Sequence, residues 1–360
     1  MTSPPGRGPL HLAAALDLPG TYEAEPYLQL ARLAEHGALD FVTLHDSFTT
    51  AGPDSLAVLS GIAPRTSRLG LVPTVTTTHT EPFHVQAAVA TLDWVSRGRA
   101  GWRADVSTGE AAARLVGRRA AAAPADLWHE AGDVIDAARR LWDSWEDGAE
   151  IRDTATGRFI DRDKLHHVDF AGRTFSVRGP SIVPRPPQGH PVVVVDATQP
   201  YAYDIAARHA DVALVGGAEP AQLAAVRGGL RRRAAEHGRD PDALRVLAAL
   251  RIDLGAGECA ARPGHGGGPL PAEDGGALYR GGPVDLADLI TDWHRAGAAD
   301  GFHLTPLDPL RDLERLVNGV VPLLQHRALF RTFYPGSTLR EHLGLARPVN
   351  RYAALAGKPS

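Results

Sequence analysis

Thr91-Leu-Asp-Trp-Val-Ser-Arg-Gly-Arg-Ala-Gly-Trp-Arg103 is the stretch on which the reading of this chain turns. It reads as the end of a helix running from Pro82 to Ser96, a Gly98 cap, and a strand starting near Arg99. Working outward, the same alternation repeats. Short β-branched runs are predicted as strands at Leu10–Leu16, Phe41–Leu44, Leu69–Val75, Ala100–Val106, Val192–Val195, Val212–Val215, Arg245–Leu254 and Gly301–Leu304. Ala/Leu/Arg-rich segments between them predict helices near Glu25–His36, Asp54–Ala63, Pro82–Ser96, Ala125–Trp145, Tyr201–His209, Ala221–His237, Val284–Ala296 and Leu310–Gln325. Alternating strands and helices imply an α/β protein with a parallel sheet. Eight of each point to a TIM (β/α)8 barrel; pattern alone leaves a doubly wound open sheet as the rival.

Composition narrows the function classes. The chain has 360 residues, 44% of them hydrophobic, enough for one large barrel or two ordinary domains. A net charge of −4 gives no reason to expect nucleic acid as a partner. Lys164 and Lys358 are the only lysines, so the cations are nearly all Arg. Cys259 is the sole cysteine, which excludes an internal disulfide and predicts a reducing, cytoplasmic setting. No apolar run reaches the roughly 18 residues of a membrane helix, and Met1–Pro9 lacks an apolar signal core. No HExxH or Cys/His cluster predicts a metal; Gly6-Arg-Gly8 has no strand before it, so a Rossmann nucleotide site is unsupported. The basic runs Gly117–Arg119 and Arg231–Arg233 read as solvated helix faces.

Two further blocks accompany the opening stretch. One is Asp169-Phe-Ala-Gly-Arg-Thr-Phe-Ser-Val-Arg-Gly-Pro180, followed by Pro187-Gln-Gly189. The other is Leu329-Phe-Arg-Thr-Phe-Tyr-Pro-Gly-Ser-Thr-Leu-Arg-Glu-His-Leu-Gly-Leu-Ala-Arg-Pro-Val-Asn-Arg351. In this order the three resemble the bacterial-luciferase-like flavin monooxygenases, in the branch of nitrilotriacetate and dibenzothiophene-sulfone monooxygenases. The resemblance tips the fold to the barrel. It implies a single domain over 1–327, with a hairpin insertion at about 146–191 and a Gly/Pro-rich link at about 255–283 shorter than the family's, then an extension at 328–360 outside the barrel. It implies reduced FMN and O2 as co-substrates, a separate flavin reductase, a small organic substrate and a homodimer. The apolar face of the Pro82–Trp94 helix is the expected dimer contact.

Barrel chemistry sits at the C-terminal strand ends. The resemblance puts Asp46 near the flavin; its alternative role is to anchor the next helix. Thr76 and Thr77 fall where hydroxyls can bond flavin carbonyls and ring nitrogens. Arg103 stands where the family has an Asn facing the flavin; it can pair with reduced flavin or a substrate carboxylate, or obstruct the ring. Ser107 matches a family Ser, and Trp128 occupies a Tyr slot as an aromatic wall. His45 and His79 are candidates for lining the pocket and moving protons, against the plainer reading as loop histidines. His84 and Glu81-Pro82 read as structural, the latter as a helix start. Ala197 and Thr198 occupy the family's phosphate turn, before a helix starting near Pro200. There Asp196 adds an unfavourable charge, and Tyr201-Ala-Tyr203 replaces a run that carries an Arg. Two alternatives stay open: an F420-dependent oxidoreductase of the same fold, and a degenerate barrel that serves as a binding or partner subunit.

Overall fold

The computed structural model describes residues 8–199, 201–255, 267–271, 276–355 and 357. Strands β1 (His11–Ala15), β2 (Phe41–Leu44), β3 (Gly70–Thr76), β4 (Gly101–Asp105), β5 (Val192–Asp196), β6 (Val212–Val215), β7 (Arg245–Asp253) and β8 (Gly301–Pro306) pair in sequence order. All eight contacts are parallel, and β8 returns to β1, so the sheet closes into a barrel. The rival open sheet is excluded by that closure. These strands read clearly because a parallel barrel strand is buried on both faces and is therefore almost wholly apolar; Val192 to Val195 are all fully buried.

Around the barrel lie α1 (Ala24–His36), α2 (Ser55–Ile62), α3 (Pro82–Val95), α4 (Glu110–Val116), α5 (Pro124–Asp143), α6 (Ala202–His209), α7 (Pro220–Glu236), α8 (Pro283–Ala296) and α9 (Pro309–Arg315). Five of them open on a proline in the first turn, where its missing N–H costs nothing. The helix predicted over Leu310–Gln325 is one α segment, a π turn at Leu316–Val320 and a second α segment. Pro322 explains the break, since it lacks the N–H that a continuous α-helix would use. The segment before β5 holds two small antiparallel hairpins, Glu150–Asp153 with Arg158–Ile160 and Phe170–Ala171 with Ser176–Val177.

Three expectations are corrected here. The segment after β7 is more than a link: Gly267–Pro271 pairs with Ala277–Arg280, which runs parallel to the end of β7. The C-terminal extension does not lie outside the barrel. Leu339, Leu343 and Leu345 share one buried cluster with Ala13, Phe41, Val72, Val194, Leu214 and Leu247, so the extension plugs the barrel's N-terminal mouth. It is latched by Arg331 on Asp40 and by Arg340 on Asp211, at 2.9 and 3.1 Å. The barrel-facing side of α3 is buried inside the chain, and Trp94 and Val95 are the exposed large apolar residues on that helix. Arg231 also departs from a solvated reading: it pairs with Asp300 and Asp242 at 3.2 and 3.1 Å. Cys259, Lys358 and Pro200 lie outside the described residues.

Candidate active site

Side chains alternate along a strand, and Phe41, Val72 and Val194 belong to the buried barrel interior. Two residues further along each strand come Thr43, Thr74 and Asp196; Arg103 pairs in register with Thr74 and Val194. The upper layer of the barrel is therefore polar. His303 of β8 and Thr43 close its floor through a 2.8 Å hydrogen bond between Nε2 and Oγ1. Burial pushes the His303 imidazole down to about 4, the nearby Arg103 charge adds to this, and Asp196 opposes it. His303 is thus neutral at ordinary pH.

Arg103 stands at the mouth of this layer. Its Nη2 donates to His45 Nδ1 at 3.0 Å and lies 3.8 Å from the Asp105 carboxylate. Its Nε is buried without a partner. The structure thus brings Arg103 and His45 together, although they are 58 positions apart. His45 is fixed from the other side, where its backbone N–H donates to Asp17 Oδ1 at 2.8 Å.

Asp46 accepts the N–H of Ser55 at 3.0 Å, so it does anchor the first turn of α2; the N-cap itself is Asp54. Burial raises the Asp46 pKa, and the Ser55 N–H partly offsets the rise. Asp46 also lines a cavity of about 500 Å³ between the ends of β2 and β3 and helices α2 and α3, together with Thr74, Thr76 and His79. His79 takes a left-handed backbone with φ of 68°, sparsely populated by residues other than glycine. Both of its ring nitrogens are buried without partners, and its edge meets Phe48 at 6.2 Å. Burial lowers its pKa, as does the Arg119 charge.

Thr77 is placed differently. Strand β3 ends at Thr76, alternation stops there, and the Thr77 hydroxyl donates to the Asp105 carbonyl at 2.9 Å. Ser107 is half-buried, its N–H donating to Thr78 Oγ1 at 3.1 Å. Trp128 sits in the hydrophobic core of α5, 1% exposed, with its indole N–H unpartnered. At the end of β5 the Ala197 N–H pairs with the Leu214 carbonyl, and the Thr198 N–H donates to Asp196 Oδ1 at 3.0 Å. The Thr198 side chain is exposed, opposite Gly216. Sequence reading passed over Thr43, Thr74, Asp105 and His303. The two-residue step along β3 was a usable signal for Thr74; His303, alone in an apolar run, carried none. Glu130 and Arg119 form a two-bond pair at 2.7 and 2.8 Å, so Arg119 is not a free surface cation.

The mouth thus presents an arginine with a spare buried N–H, a carboxylate, hydroxyls and an exposed turn at the end of β5. That donor and acceptor set suits a flat heteroaromatic ring with polar edges. Residues 9–317 match the model of the luciferase-like monooxygenase family. The chain is 33% identical to nitrilotriacetate monooxygenase component A of Aminobacter aminovorans, over 93% of this chain and 92% of that protein. It is 32% identical to N-acetyl-S-(2-succino)cysteine monooxygenase of Bacillus subtilis (strain 168), over 91% of each. Among solved structures, EDTA monooxygenase from Chelativorans sp. BNC1 superposes with a TM-score of 0.82 at 24% identity, covering 94% of this chain and 99% of that one.

Proposed function

Because the chain belongs to the luciferase-like monooxygenase family, we propose that it oxygenates a small organic substrate with O2 and reduced FMN supplied by a separate reductase. The observation that carries the cofactor reading is Arg103. Its guanidinium is held at the barrel mouth by His45, and its buried Nε lacks a partner. A buried unpaired N–H costs about 1–3 kcal/mol unless a ligand meets it, and a flavin ring carbonyl or ring nitrogen is a fitting acceptor.

When bound, reduced FMN supplies the oxygen activation. The chain's own residues hold and shield it. Arg103 would orient the ring edge, with Asp46 and Thr76 beside it and Ser107 at the rim. Thr198 and the exposed turn after β5 would take the phosphate, with Asp196 weakening that grip. Burial lowers the His79 pKa, and its ring nitrogens lack partners, so the ring can donate one hydrogen bond and accept another near the site. His303 and Thr43 seal the floor against water from below.

Titrating the protein with FMN and with F420, followed by fluorescence and calorimetry, tests the reading. FMN is expected to bind, and Arg103→Ala to weaken it about ten-fold, as loss of one charge-assisted bond would. F420 binding in place of FMN would move the chain to hydride transfer. Binding of neither would leave the barrel as a partner subunit. One observation favours that last reading: the Asp196 carboxylate takes the Thr198 N–H that a phosphate would use.

A further inference from the structure

The cavity between β2, β3, α2 and α3 has a composition that speaks to the substrate. Its volume of about 500 Å³ falls in the range of pockets that enclose drug-sized ligands. Most of the wall is apolar, from Phe48, Leu56, Val75, Val85, Ala88 and Val116. The titratable groups that face it are Asp46, Asp54, Glu81, Arg118, His79 and His84. Three carboxylates therefore stand against one guanidinium. Arg103 is not part of the wall; its guanidinium is engaged with His45.

Polar anchoring inside the cavity comes from two side chains. Thr74 lines the space; it is 2% exposed, and its hydroxyl has no hydrogen-bond partner. The backbone carbonyl of Thr74 is taken by Ser55, so the strand is fixed and only the hydroxyl is free. His79 contributes two unpaired ring nitrogens on a backbone conformation that commits its ring to this place.

From this geometry we infer that the cavity takes the organic substrate, and that the substrate is a neutral, mainly apolar molecule bearing one hydrogen-bonding heteroatom. A polycarboxylate is refused. The acidic wall would repel it, and the single Arg118 guanidinium, outnumbered by three carboxylates, cannot compensate the desolvation of several more against Phe48, Leu56 and Val85. A neutral molecule loses nothing to the charge, buries its apolar surface on the walls and meets the Thr74 hydroxyl. The chain would then differ in substrate class from those relatives whose names denote polycarboxylates. The inference rests on the monooxygenase reading for what happens to the molecule, and on the cavity alone for what binds.

The test uses full-length protein and two probes. Diphenyl sulfoxide is neutral, with two apolar rings and one strong acceptor; nitrilotriacetate is a polyanion. Binding is followed by calorimetry and by saturation-transfer NMR, with and without FMN. Diphenyl sulfoxide is expected to bind and nitrilotriacetate to show no binding at ten-fold higher concentration. Ala88→Trp fills the cavity and should weaken diphenyl sulfoxide about ten-fold or more while leaving FMN affinity unchanged. Thr74→Val should weaken it through loss of the hydroxyl; a native circular dichroism spectrum and melt check that each variant folds. Nitrilotriacetate binding, no diphenyl sulfoxide binding, or indifference to Ala88→Trp overturns the inference. Loss of FMN binding with diphenyl sulfoxide still bound overturns the cofactor reading instead, so the two failures are separable.

Discussion

Asp211→Asn should show how far this barrel depends on its C-terminal plug. Asp211 precedes β6 and is 6% exposed. Its Oδ2 accepts the Val193 N–H at 2.9 Å, Arg340 Nη2 at 3.1 Å and Arg139 Nη2 at 3.4 Å. One carboxylate thus joins β5, β6, α5 and the segment that fills the N-terminal mouth. Burial alone would raise its pKa, but Arg340, Arg139 and the Val193 N–H outweigh burial and hold it at about 2, below the ordinary 3.8. That difference corresponds to about 2 kcal/mol of folding stability. The sign follows from the lowered value: the contribution is complete above pH 3.8 and is lost as pH falls toward about 2. Removing the charge at neutral pH costs more, about 3–5 kcal/mol, because the buried Arg340 and half-buried Arg139 guanidinium groups lose their counterion. Urea unfolding of parent and variant at neutral pH should show a gap of that size. On acidification below about pH 4 the gap should narrow, since the parent carboxylate then protonates. A gap under about 1 kcal/mol at neutral pH, or one that does not change with acid, would refute the claim that this carboxylate clamps the plug.

Burial holds three histidines neutral, His209 at about 3 and both His303 and His342 at about 4. Unfolding lets each take a proton, so stability should fall as pH drops below about 6.5, by up to about 1.4 kcal/mol per pH unit for each group; urea midpoints across that range that stay level would contradict it. Gly301→Ala should fail to fold, because the new Cβ would lie 2.1 Å from the backbone oxygen of His11 on the neighbouring strand. The cost is at or above the top of the usual overpacking range of about 3 kcal/mol, and soluble, native-like protein with a parental melt would count against the register of β1 and β8. Asp196→Ala should tighten FMN, since it removes a negative charge from the turn after β5 and frees the Thr198 N–H. If the Thr198 hydroxyl holds the phosphate as proposed, Thr198→Ala should weaken FMN about ten-fold; equal affinities in both variants by calorimetry would place the phosphate elsewhere.

The barrel was legible because its strands obey one rule throughout. Phe41–Leu44 and Val212–Val215 begin and end where apolar β-branched runs do, and the prolines that open α3, α5, α7, α8 and α9 mark the helix starts. The plug was not legible. Leu339 and Leu343 have helical spacing, but nothing local says that they face Phe41 and Leu247 across the barrel rather than another surface. The same holds for the helix at Glu110–Val116 and for the strand pair Gly267–Pro271 and Ala277–Arg280, whose partner is the distant end of β7.

The candidate site divides the same way. Asp46, Thr76 and Arg103 could be picked out because each follows a strand, and strand ends share one face of the barrel. Which of them meet was hidden. Arg103 finds His45 over 58 positions, and His303 finds Thr43 over 260. Arg103 keeps a buried N–H without a partner, and burial lowers the His303 pKa to about 4. Thr77 shows the limit from the other side: one residue past the end of β3, its hydroxyl serves the Asp105 backbone while Thr74 keeps its own free. Barrel closure constrains the lower layers, where Ala13, Val72 and Leu247 pack against the plug. It leaves the upper layer free to vary, and there the chain places a guanidinium, an acidic turn and an apolar cavity with a carboxylate rim. Residues that break the family's local pattern without weakening the barrel's core are the ones through which a fixed fold changes what it accepts.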